Sequence, residues 1–283
     1  MKLQHAVRQA TDTLRAAGVN SPEHDARALA VHVLGVAKPS DLARFESIDE
    51  TLYDDLVARR ASRVPLQHLT GSVGFRWIEL EVGPGVFVPR PETESVVQWA
   101  IDALLGVPAP LLVDMCTGSG TIAFALASEV PGATVHAVER DPAALAWARR
   151  NAAHRLRVGD PEVHLHLGSA LDALPELDAA VDLVASNPPY LAMHERASVD
   201  PEVMDHDPET ALFAGEDGLD VIRDVERAAH RLLKPGGLVV VEHSDRQGTS
   251  APELFVRAGG WTEIADHRDL TGRDRYVTAR LLP

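Results

Sequence analysis

The chain has 283 residues, 45% hydrophobic and 24% charged, the balance of one large globular domain or two modest ones rather than of a disordered chain. Its 42 acids against 27 bases leave a formal charge of −15, which disfavours direct nucleic-acid binding and favours a basic partner. A single cysteine, Cys116, excludes an intramolecular disulfide and a multi-cysteine metal site, and no Gly-x-x-x-x-Gly-Lys phosphate loop is present, which excludes a P-loop NTPase.

The N-terminus has polar residues every few positions, and no apolar run approaches about 18 residues, so no membrane partner and a cytoplasmic location are expected. Residues 1–64 read as helices. Leu3, Val7, Ala10, Leu14 and Ala17 recur at helical spacing, and Gly18 closes the run. Ser21-Pro22-Glu23 starts a second helix, with Ser21 as N-cap and Pro22 at the first helical position. A third helix is expected from about 49 to 63, stopped by Pro65. Val73, Phe75, Trp77, Leu80 and Val82, with glycines at Gly83 and Gly85, predict a short β-hairpin bridging two domains. Farther on, segments 111–115, 134–138, 163–167, 181–186 and 238–242 read as strands and alternate with helices at 121–130, 142–155 and 219–233. Segments 261–265 and 275–282 read as a final strand pair. Such alternation predicts a mostly parallel sheet with helices on both faces.

The first strand of that sheet runs into Asp114-Met115-Cys116-Thr117-Gly118-Ser119-Gly120 and then a helix. Glycines there let the backbone turn tightly and approach a ligand without a Cβ in the way. Glu139 lies 19 positions after Gly120, at the end of the second strand, where an acid hydrogen-bonds ribose hydroxyls. Together they predict a site for an adenosine-bearing cofactor. Because Gly118 to Ala123 also satisfies the dinucleotide fingerprint, the loop alone leaves NAD open.

The fourth strand ends in Asn187-Pro188-Pro189-Tyr190. In a doubly wound sheet this strand lies beside the first, at the switch point where ligands bind. The Asn187 side-chain oxygen and the Pro188 carbonyl are acceptors, suited to gripping both hydrogens of a planar –NH₂ group. The prolines stiffen the hook, and Tyr190 offers a face to a flat amide or base. Such a grip orients a poorly nucleophilic nitrogen toward an electrophilic methyl group.

With both motifs the chain resembles the S-adenosylmethionine-dependent methyltransferases that act on exocyclic or amide nitrogen. More narrowly it resembles the HemK-type enzymes, which methylate the side-chain amide (N5) of the glutamine in the Gly-Gly-Gln motif of class-I peptide chain release factors. The likeness also runs through Gln67 to Phe75, Phe87-Val88-Pro89-Arg90-Pro91-Glu92-Thr93-Glu94, Glu209-Thr210-Ala211-Leu212, Gly215 to Asp220, Glu242 with Gln247, and Asp269 to Arg275. The resemblance implies an α/β fold, a seven-stranded Rossmann-like class I methyltransferase domain over 92–283. It also implies a small all-helical substrate-docking domain over 1–70 and a linking hairpin over 71–91. It implies S-adenosyl-L-methionine as cofactor, contacted by Asp114, Cys116, Thr117, Gly118, Ser119, Gly120, Glu139 and Asn187. Asn187, Pro188, Pro189 and Tyr190 would carry catalysis, no metal would take part, and class-I release factors would be the protein partner.

Three positions depart from that pattern. Cys116 stands where many members have the first glycine of the loop, Gly168-Ser169-Ala170 replaces acidic and bulky residues, and His243 follows Glu242 in place of an aliphatic residue. The rival readings are a ribosomal-protein glutamine methyltransferase, an adenine-N6 nucleic-acid methyltransferase and a non-catalytic binding module. His164 and His166 share one strand face and are expected to lack a third metal ligand nearby. Arg149, Arg150, Arg155 and Arg157 read as the solvated end of a helix.

Overall fold

The computed structural model describes residues 1–283. Its helices are α1 (Leu3–Ala16), α2 (Pro22–Leu34), α3 (Glu50–Ala61), α4 (Leu66–Thr70), α5 (Thr93–Ala103), α6 (Thr121–Glu129), α7 (Pro142–Arg157), α8 (Pro201–His206), α9 (Asp220–Leu232) and α10 (Ser250–Ala258). Its strands are β1 (Ser72–Phe75), β2 (Ile78–Glu81), β3 (Leu111–Met115), β4 (Thr134–Glu139), β5 (Val163–Leu167), β6 (Val181–Ser186), β7 (Leu233–Glu242), β8 (Trp261–Arg268) and β9 (Asp274–Leu281). No helix is long and apolar enough to cross a membrane.

The chain divides into two compact units. One holds Met1–Ser72, Val82–Pro84 and Asp200–His206; the other holds Val73–Glu81, Gly85–Val199 and Asp207–Pro283. The hairpin β1–β2 therefore belongs, Ser72 apart, to the second unit, and α8 returns to the first.

In the helical unit α1, α2 and α3 bury Leu3, Ala6, Leu14, Leu29, Tyr53 and Leu56 in one core. Asp49 caps α3 by accepting from the Leu52 N–H at 3.1 Å, an interaction worth about 1 kcal/mol. Ser21 sits at the start of α2 but its hydroxyl makes no capping bond. Arg60 is 5% exposed. Its Nε donates to Asp25 Oδ2 at 2.7 Å, and its Nη1 donates to Glu202 Oε2 at 2.9 Å and to the Val64 carbonyl at 3.1 Å. Breaking a buried pair of this kind costs about 3–5 kcal/mol, and Arg60, together with Arg63 on Asp200 at 3.0 Å, ties the 200–206 segment to this core.

The second unit is built on a seven-stranded sheet in the order β5-β4-β3-β6-β7-β9-β8, parallel from β5 to β7 and antiparallel from β7 through β9 to β8. Strands buried on both faces read as continuous apolar runs, as Leu238–Val241 of β7 does. Their alternate residues still divide between two cores. Leu112, Leu183 and Val240 pack with α5 and α6 through Val96, Val97, Ile122 and Phe124. Val113, Val184 and Val241 pack with α9 and α10 through Ile222, Val225 and Phe255. Helix α10 has no counterpart in the sequence reading: Pro252 falls within it and masks the pattern, yet proline is tolerated in a helix's first turn.

Candidate active site

Strands β3 and β6 are neighbours, with Met115 opposite Ser186 at their carboxyl ends. The Ser186 hydroxyl donates to the Met115 carbonyl at 2.8 Å and fastens the two ends together. The glycine loop and the Asn-Pro-Pro-Tyr turn thus leave the sheet side by side, at the point where the strand order reverses.

Asp114 and Glu139 give the loop its shape. Asp114 is buried at the end of β3, and its Oδ2 accepts from the Thr117 hydroxyl at 2.5 Å and from the Ala123 N–H at 3.1 Å. Burial pushes its carboxyl up to about 7, against the pull of those two donors. Its Oδ1 is buried without a hydrogen-bond partner. Glu139 accepts from the Gly118 N–H through Oε2 at 2.8 Å and from the Asp141 N–H through Oε1 at 2.9 Å. A carboxylate has about four acceptor positions, so both oxygens keep capacity for a ligand hydroxyl. Asn151 of α7, fully buried, donates to the Ser119 carbonyl at 2.9 Å and the Glu81 carbonyl at 3.0 Å, tying loop and hairpin together.

Gly120 has φ +93°, and a Cβ there would stand 2.0 Å from the Phe124 ring, so only glycine fits. Cys116 has φ +59°, a left-handed conformation that costs an L side chain about 1–2 kcal/mol and explains why glycine suits this position. Burial and the nearby Glu139 push its thiol up to about 12. The thiolate is the reactive form. The thiol is therefore expected to resist iodoacetamide at pH 8 in the folded protein and to react once unfolded, as read by intact mass; rapid labelling of the native chain would refute a buried, protonated thiol.

In the turn after β6, Asn187 donates through Nδ2 to the Thr93 hydroxyl at 3.1 Å. Pro188 and Pro189 are buried and lack N–H groups, so this backbone offers acceptors only. Tyr190 has its hydroxyl 3.4 Å from Glu242 Oε1, a long contact. Burial, then the Glu242 charge, raises its pKa. Behind the turn Gln247 donates through Nε2 to the Tyr190 carbonyl at 3.1 Å and the Gly218 carbonyl at 3.3 Å, and accepts from the Ser244 N–H at 2.9 Å. Asp269 folds the 269–275 turn by accepting from the Thr271 and Arg273 N–H groups, and holds Arg275 through Nε at 3.0 Å. Arg275 in turn places its charge near Tyr190 and Glu242.

Two family models match the chain: residues 5–71 match the PrmC N-terminal domain and residues 111–268 a methyltransferase domain. The release factor glutamine methyltransferase of Streptomyces coelicolor is 56% identical over 277 residues, covering 97% of this chain and 96% of its own length. This chain belongs to the release factor glutamine methyltransferases. The relative from Mycolicibacterium smegmatis is 49% identical over 284 residues, covering 98% of this chain and 97% of its own. Among solved structures, a T. thermophilus 16S rRNA N2 methyltransferase in complex with AdoMet and guanosine aligns over 74% of this chain and 49% of its own, at 19% identity and TM-score 0.52, a likeness of fold.

The glutamine methyltransferase fold thus brings together every loop and turn residue singled out from sequence: the 114–120 loop, Glu139 and the 187–190 turn. Thr93, Glu242 and Gln247 carry the family likeness in sequence, but their partners lie 94, 52 and 57 positions away, so no local pattern discloses them. His136 is the third histidine beside His164 and His166, its ring 4.8 Å and 5.2 Å from theirs across β4 and β5. Its Nδ1 meets His166 Nε2 at 3.0 Å, a ring-to-ring bond, and the group is not arranged to hold a metal ion. Of the arginines, Arg155 pairs with Asp160, and Arg150 lies 4.5 Å over the Trp147 ring.

Proposed function

We propose that this release factor glutamine methyltransferase draws its methyl group from S-adenosylmethionine and places it on the side-chain amide nitrogen of the Gly-Gly-Gln glutamine, with Asn187, Pro188, Pro189 and Tyr190 as the acceptor site. The observation that carries the reading is the adjacency of two unlike loops. One is bare of side chains at Gly118 and Gly120 and backed by Asp114 and Glu139; the other carries two successive prolines whose backbone offers only carbonyl acceptors, beside the Asn187 amide. The first fits the cofactor. Spare acceptor capacity on Glu139 suits ribose hydroxyls, the buried unpartnered Asp114 Oδ1 suits an added donor, and left-handed Gly118 and Gly120 let a ligand meet backbone. When bound, S-adenosylmethionine supplies an electrophilic methyl on a positively charged sulfur.

The chain's own part is orientation. Asn187 Oδ1 and the Pro188 carbonyl each accept one N–H of the glutamine amide, which turns the nitrogen's face toward the methyl position. Tyr190 packs against the amide plane. The amide nitrogen is weakly nucleophilic because its lone pair is delocalised; holding it at contact distance supplies up to about 7–11 kcal/mol of the barrier. Forming the N–C bond would break the methyl–sulfur bond, and the nitrogen, acidic once it carries the methyl, would then release one proton to water, so the site needs no strong base. We assign docking of the release factor to the helical unit, and the chain's charge of −15 suits a basic partner.

The test is transfer of labelled methyl from S-adenosylmethionine to purified release factor, with peptide mass spectrometry. One added methyl on the Gly-Gly-Gln peptide is expected, and none when that glutamine is alanine. Label confined to DNA or to ribosomal protein, run in parallel, would overturn the substrate.

A further inference from the structure

Thr93 is the first residue of α5 and is 2% exposed. Glu242 ends β7 and is 1% exposed. Neither belongs to the glycine loop or the turn, yet they stand behind both ends of the turn. Thr93 takes the Asn187 amide hydrogen, and Glu242 Oε1 takes the Tyr190 hydroxyl. Glu242 Oε2 is buried and makes no hydrogen bond. Burial, the largest influence, pushes the Glu242 carboxyl up to about 7, and Glu92 adds to it; the Thr93 hydroxyl, then Arg275 from β9 and the Tyr190 hydroxyl, pull toward the charged form.

These contacts fix the direction of the hydrogens. A threonine hydroxyl that has accepted from Asn187 still has its own hydrogen to place, and the carboxylate beside it is the acceptor at hand. With Thr93 so held as an acceptor, the Asn187 –NH₂ points back toward α5 and Oδ1 becomes the free end. A flipped asparagine would present two donors to a substrate nitrogen that itself brings two donors. No hydrogen bond would form, and the polar groups would be desolvated without compensation. The same shape would then reject the substrate it is meant to bind.

We propose that Thr93 and Glu242 are positioning residues, which set the flip of the Asn187 amide and hold Tyr190 so that the turn offers oxygen rather than amino hydrogens to the glutamine amide. This rests on the reading of the 187–190 turn as the acceptor site.

Three variants test it in the full-length enzyme with release factor as acceptor: Thr93→Val, Thr93→Ser and Glu242→Gln. Thr93→Val keeps shape but removes the acceptor, and kcat should fall by about 10–100-fold, the scale at which supporting residues act on a ligand-holding group. The KM for release factor and the cofactor affinity should stay within about threefold, and Thr93→Ser should recover most of kcat. Glu242→Gln should lower kcat in the same way, because its amino group competes for the Thr93 oxygen. A Thr93→Val enzyme with wild-type kcat, or a serine variant as impaired as the valine one, would overturn the proposal, the second by showing that bulk rather than the hydroxyl matters. Asn187→Ala run alongside separates the two levels. If it is inactive while Thr93→Val is normal, only the positioning role falls; if it stays active, the acceptor-site reading falls and takes this proposal with it.

Discussion

Asn187→Ala enzyme is expected to bind S-adenosylmethionine within about tenfold of wild type and to methylate release factor about 100–1,000-fold more slowly. The two numbers differ because the proposed site gives Asn187 two unequal jobs. Toward the cofactor it adds at most one hydrogen bond among many, worth about 1 kcal/mol. Toward the substrate it is one of two acceptors that set the nitrogen's direction, and removing one preorganised polar group of that kind costs about 10²–10³ in rate. The folding cost should be small, because Asn187 is only partly buried and its one internal bond is to Thr93. Calorimetric cofactor titration with single-turnover methylation checks both numbers. A variant that loses cofactor affinity and rate in equal measure would place Asn187 in the cofactor site alone.

What could be read from the sequence was what is local in it. The glycine loop and the Asn-Pro-Pro-Tyr turn are short runs whose chemistry is written in residue type, and Glu139 sits at a spacing fixed by one helix and one strand. The alternation of apolar runs with helical patterns likewise gave the parallel sheet and its closing antiparallel pair. Other features are set by tertiary contact. Nothing near Asn151 in sequence says that it joins Ser119 to Glu81, and nothing near Arg60 says that it holds Glu202, 142 positions away. The left-handed backbone at Cys116 is equally silent, because a cysteine there reads as a small residue until its φ is seen. His136 was missed because a strand pattern displays its own face-mates, His164 and His166, but not the neighbouring strand's register.

Gly218→Ala should be the most damaging single-methyl change outside the glycine loop. Gly218 has φ +74°, and a Cβ there would stand 2.3 Å from the Tyr190 carbonyl oxygen, 2.8 Å from Gln247 Nε2 and 3.0 Å from the Ala192 nitrogen. Two of those three neighbours are backbone, so neither can swing aside as a flexible side chain would. The new methyl must push the 190–192 backbone away and break the Gln247 bond to the Tyr190 carbonyl. That displacement passes along the turn to the proposed Pro188 and Asn187 acceptors, and a misplacement of about 1 Å costs on the order of 10²-fold in rate. The expected result is a fall in kcat of about 10–100-fold with cofactor affinity changed less, because the clash falls on the 190–192 backbone and Gln247 rather than on the glycines of the loop. Gly106→Ala supplies the control. Gly106 has φ +82° but nothing within 4 Å of its would-be Cβ, so alanine there brings the left-handed strain of about 1–2 kcal/mol without the clash. Thermal midpoints should fall in both variants, whereas the activity loss should be confined to Gly218→Ala. Equal rates in the two would mean that the segment behind Tyr190 absorbs the methyl without moving the turn, and that Gln247 clasps a part of the chain on which methyl transfer does not depend.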